Sequence, residues 1–102
     1  MPAPSVAELS AEHFRPHLHE AFGLEVAPEL RLDVRLIEVT ETSRRGAPGG
    51  RAPFSLLFLA PTGSPNRQGV FVLTHPVLGR FELFATAVAP TQDGARYEIV
   101  LG

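Results

Sequence analysis

Between Glu29 and Thr40 the chain alternates and then changes phase. Leu30, Leu32, Val34 and Leu36 fall on one side, and Arg31, Asp33 and Arg35 on the other. That two-residue period is the mark of a half-buried strand. After Leu36 the apolar set becomes Ile37 and Val39, with Glu38 and Thr40 outside. A slip of one residue sends every later side chain to the opposite face. A strand absorbs the slip through a β-bulge, which bends it and sharpens its twist. Long bent strands let a small sheet curl and close, so the feature argues for a barrel over a flat sheet.

The other strands follow from short apolar runs bounded by Gly and Pro. Ala21–Val26 alternates Phe22, Leu24 and Val26 with Gly23 and Glu25. Phe54–Ala60 and Gly69–Thr74 are apolar on both faces, the pattern of strands covered on each side. Arg80–Val88 carries Phe81, Leu83, Ala85 and Ala87 on one face, and Ala95–Leu101 carries Tyr97, Ile99 and Leu101. Asp93-Gly94 signals a hairpin between these two. The turn His75-Pro76-Val77-Leu78-Gly79 joins the strands before and after it: Pro76 fixes φ and Gly79 is able to take a positive one. Before all of these, a short helix is expected within Val6–Leu18, limited by Pro16. Ser5 and Ser10 are its candidate N-caps. Leu9, Phe14 and Leu18 form its buried stripe, closing one end of the core. The fold expected is therefore mainly β. It is a six-stranded antiparallel barrel or strongly curled sheet with one N-terminal helix, its strands joined mostly to sequence neighbours.

The chain has 102 residues, enough for one domain and one core. Residues 1–4 read as a disordered tail, and 42–52 (TSRRGAPGGRA), with no large apolar residue, as a mobile loop. Cysteine is absent, which excludes a disulfide scaffold and a cysteine zinc site. Met1–Ser5 has no basic and apolar succession of a signal peptide, and no apolar run reaches the ~20 residues of a membrane helix. A cytoplasmic location is the expectation, with export only as part of an assembly. A net charge of −2 gives no general attraction to nucleic acid or to anionic lipid. The Phe residues sit in the apolar phases, so no stacking platform for single strands is evident.

Candidate chemistry is sparse. His13, His17 and His19 do not share one face in any single conformation, and no carboxylate lies in a recognisable metal motif beside them, so no metal or cofactor is expected. His75, before Pro76, reads as a ring that bonds the local backbone. Ser55 lacks a nucleophile elbow. No phosphate or dinucleotide glycine pattern occurs. Arg44, Arg45 and Arg51, with Arg67, form a candidate rim for phosphate or carboxylate groups. The end of the last strand, Ile99-Val100-Leu101, carries no proline, and it reads as an assembly edge open to strand addition if the sheet does not close.

Taken in order, Phe14-x-Pro16, Phe22, Phe54-Ser55-Leu56-Leu57-Phe58, Gln68-Gly69-Val70-Phe71, His75-Pro76-Val77-Leu78-Gly79, Leu83-Phe84 and Tyr97-Glu98 span nearly the whole chain. The set resembles a family of bacterial domains of similar length with no assigned function. Its motifs are F-S-L-x-F, Q-G-x-Y/F, H-P-x-L-G, L-F and Y-E. His19 stands where the family pattern has glycine, and Ala89-Pro90 follows Leu83-Phe84 late. The resemblance implies a companion of phage-tail-like or surface-fibre proteins, with no catalytic residues. In that light His75, Pro76, Leu78 and Gly79 are a structural turn. The function expected is a non-enzymatic module that works through protein contacts, as a homo-oligomer or on a protein partner. The alternative is a small binding protein that holds an anionic ligand at the barrel mouth and arginine loop.

Overall fold

The computed structural model of the chain describes residues 9–41, 53–65 and 67–101. The expected tail at 1–4, the loop at 42–52 and the Ser5 cap lie outside these residues. Helix α1 (Ala11–Phe14) runs into a 3-10 turn (Arg15–His17). Six strands follow: β1 (Ala21–Ala27), β2 (Leu30–Glu41), β3 (Phe54–Ala60), β4 (Gly69–His75), β5 (Gly79–Thr91) and β6 (Gly94–Leu101). They form a closed antiparallel barrel in the order β1-β2-β3-β6-β5-β4.

The bulge lies where the phase slips. Leu36 pairs with Phe58 and Glu38 with Leu57, leaving Ile37 as the extra residue. Leu32, Val34 and Leu36 are buried inside, and beyond the bulge Val39 packs on the core. Of the strand's apolar residues only Leu30, at its start, is exposed.

Connectivity departs from a simple meander. β1-β2-β3 and β4-β5-β6 are each three-stranded meanders, and β3·β6 and β1·β4 pairings seal one to the other. The assembly edge expected at Ile99, Val100 and Leu101 is conditional on an open sheet, and the sheet closes. β6 pairs with β3 from Ala95 to Leu101 and with β5 from Gly94 to Ile99, so it is an inner strand of the barrel, and only Val100 and Leu101 extend past its β5 pairing. Ile99 and Leu101 point into the core; Val100 alone faces out.

Two further expectations change. β3 and β4 are not covered on both sides, because a barrel has one interior. Phe54, Leu56, Phe58 and Ala60 are buried, while Leu57 and Leu59 are half-buried outside. The helix is also shorter than expected. Ser10 is its cap: the Ser10 N–H donates to His13 Nδ1 (3.0 Å), and the His13 N–H to the Ser10 carbonyl (3.0 Å). Pro16 tightens the next turn to 3-10, which rotates Leu18 out of the stripe and leaves it exposed. Leu9, Ala11 and Phe14 remain buried over one end of the barrel. The Phe14 ring lies 5.9 Å from Phe54 and 6.5 Å from Phe22.

Candidate functional site

The turn after β4 is built around an imidazole. His75 is buried, and its Nδ1 accepts from the N–H groups of Val77 (3.1 Å) and Leu78 (3.3 Å). Pro76 sits exposed at the corner and Leu78 turns into the core. Gly79, paired with His75, has φ 109°, a region closed to most side chains. Ring, proline, leucine and glycine thus each hold part of one turn.

The same ring reaches the N-terminal segment. With Nδ1 accepting, the proton belongs on Nε2, which donates to Glu20 Oε1 (2.9 Å). His17 Nδ1 donates to the same oxygen at 2.8 Å, and the two imidazole centroids are 4.5 Å apart. The hydrogen bond from His17, and then that from His75, hold the Glu20 carboxyl below the usual carboxylate range. Phe22 packs on His75 at 4.5 Å between centroids. Glu20, just before β1, is thereby tied to the turn after β4.

His17, Glu20 and His75 are residue types that ligate metals, and their ligand atoms lie within 4.8 Å of one another. The hydrogen bonds argue against that use. A metal at His75 Nε2 needs the lone pair there, which moves the proton to Nδ1, against two backbone N–H donors. The cluster works as a clamp between two segments.

The remaining sequence candidates are scattered. Arg44, Arg45 and Arg51 lie outside the described residues. Arg67 is exposed after the β3–β4 crossover, near Tyr97. Burial pushes the Tyr97 phenol up, and Arg67 opposes the shift. The phenol donates to the Pro65 carbonyl.

Outside the barrel a different feature emerges. Val70 on β4 pairs directly with Phe84 on β5. Val100 directly follows Ile99, the last β6 residue paired with β5 (opposite Ala85), and it too faces outward. Val70 is 67% exposed, Phe84 55% and Val100 67%. Three large apolar side chains therefore lie on the outer face of three neighbouring strands, Val70 and Phe84 directly opposite each other, and Glu82 and Glu98 lie on the same strands two positions away. From sequence, β4 showed apolar residues on both faces but not which face was outside.

The profile of a domain of unknown function, DUF6916, matches residues 9–101. The chain belongs to the DUF6916 family. The match spans both meanders, the helix and the His75–Gly79 turn, so the whole barrel is the DUF6916 domain. No curated protein and no solved structure matches the chain. No helix among the described residues is long and apolar enough to cross a membrane.

Proposed function

We propose that this DUF6916 domain is a non-enzymatic module that works through protein–protein contact, using the outer face of β4, β5 and β6. The Val70–Phe84–Val100 strip carries the reading. Each side chain gains about 25 cal/mol for every Å² of apolar surface covered. Aromatic side chains, phenylalanine among them, are enriched at interfaces relative to the rest of the surface. The imidazoles of His13, His17 and His75, by contrast, are spent on the chain's own backbone and on Glu20, which supports a structural rather than a catalytic use of them.

The order valine, phenylalanine, valine reads the same in both directions across the strands. A second copy related by a two-fold axis thus presents a matching face. The contact proposed is with such a copy. The strip is smaller than the ~800 Å² per partner of a standard interface, so a single contact is weak and gains from repetition.

Sedimentation equilibrium over a wide concentration range tests the proposal. Wild type should associate as concentration rises, and Phe84→Asp should remain monomeric with an unchanged melting temperature. A concentration-independent wild-type monomer, or association that survives Phe84→Asp, overturns it.

A further inference from the structure

On the side of the barrel formed by β4, β1 and β2, a groove of about 360 Å³ opens over Gly23. This is within the range of small-molecule sites. The groove exists because β1 shows only Ala21 and Gly23 outward at this level. Gly23 pairs with Asp33 on one side and Thr74 on the other. A methyl group added at Gly23 would strike the Arg31 guanidinium and the Thr74 hydroxyl. Those two groups therefore converge directly above the glycine.

The charges here are arranged in an unusual way. Arg31 pairs across the ladder with Glu25, yet its guanidinium leans over Gly23 and forms no ion pair with Glu25 or with Asp33. Asp33 likewise has no ion-pair partner among the described residues. An unpaired cation and an unpaired anion thus face one groove from two positions on a single strand whose Cα atoms are roughly 7 Å apart. The Thr74 hydroxyl lies on the floor, 3.4 Å from the Gly23 carbonyl. His75 and Pro76 form one wall, fixed by the turn hydrogen bonds.

We propose that the groove over Gly23 binds a small zwitterion of the α-amino-acid type, with Arg31 taking the carboxylate and Asp33 the ammonium. A guanidinium fork matches a carboxylate with two parallel hydrogen bonds, and the Thr74 oxygen, whose proton goes to the Gly23 carbonyl, is left as an acceptor for the ammonium. Asp33 makes the site poor for phosphate, because a dianion meets a carboxylate in the same groove. Ala21 and Pro76, both exposed, supply apolar surface for a small side chain.

The test is a titration of the ¹⁵N-labelled full chain with L-valine, followed by amide shifts. Saturable shifts at Gly23, Arg31, Asp33 and Thr74 are expected, with a Kd of roughly 1 mM. N-acetyl-L-valine lacks the ammonium and L-valine amide lacks the carboxylate; each should bind about tenfold more weakly or worse. Arg31→Gln and Asp33→Asn, both at exposed positions, should each weaken L-valine by a similar factor while the rest of the spectrum stays in place. Absence of saturable shifts with L-valine overturns the proposal. So does equal binding of the three probes, or tighter binding of inorganic phosphate, which would mark a plain anion site.

Discussion

The barrel closes differently at its two ends. Where β1, β3 and β5 begin, a helix lays Leu9, Ala11 and Phe14 over the opening, and the His17–Glu20–His75 clamp fastens its tail from outside. Toward the other end, Tyr97 stands edge-on to Phe71, and its phenol reaches the Pro65 carbonyl in the β3–β4 crossover. One end relies on apolar volume, with a polar clamp outside it. The other relies on a polar group buried inside and matched to one acceptor. Volume is insensitive to pH, whereas each polar device depends on a single proton, so the two ends should fail under different stresses.

The largest effect should come from the plug. Phe14→Ala removes a fully buried ring and should cost about 3–5 kcal/mol, read as a lowered denaturant midpoint. Tyr97→Phe keeps the ring volume and removes only the hydroxyl, leaving the Pro65 carbonyl without that donor. Its cost should be about 1–3 kcal/mol. Equal costs for the two variants would erase the distinction between the ends.

pH should separate the ends further. Hydrogen bonds from the two imidazoles lower the Glu20 pKa from 4.5 in the fold. The clamp therefore contributes fully above 4.5 and is lost as pH falls through the lowered value. Burial raises the Tyr97 pKa from 10.0, so its contribution is complete below 10.0 and is lost as pH rises through the raised value. Glu20→Gln should flatten the acid limb of a stability-against-pH curve, and Tyr97→Phe the alkaline limb. An acid limb unchanged by Glu20→Gln would sink the clamp.

What was legible in the sequence was local. The bulge at Ile37 follows from a phase slip, and the His75–Gly79 turn from Pro, Gly and a ring two residues from the N–H it accepts. What escaped depends on distance along the chain. Glu20 and His75 are 55 positions apart, and nothing near Glu20 marks it as a partner. The β3·β6 and β1·β4 seals are likewise long-range pairings, and without them β6 looked like a free edge. Leu18 was misplaced because Pro16 changes the helical pitch. Val70 and Phe84 were placed in apolar runs, but alternation cannot choose an inside when both faces are apolar.

The smallest expected effect sharpens the clamped end. His19 has φ 73°, the one positive value among non-glycine described residues. Its neighbours impose this: the His19 N–H donates to the Leu36 carbonyl (2.6 Å), and the Leu36 N–H to the Glu20 carbonyl (3.2 Å). Docking on β2 thus forces the left-handed conformation, at the position where the resemblance expected glycine. That conformation costs an L-residue about 1–2 kcal/mol. Glycine escapes the cost but loses about 0.4–1 kcal/mol through its freer unfolded chain. His19→Gly should therefore stabilise by about 1 kcal/mol or less. His19→Val, β-branched at the same φ, should destabilise. The histidine ring is exposed, so neither change removes packing. Thermal melts of the pair decide the matter. If His19→Gly melts below wild type, the imidazole does more at this position than tolerate the turn.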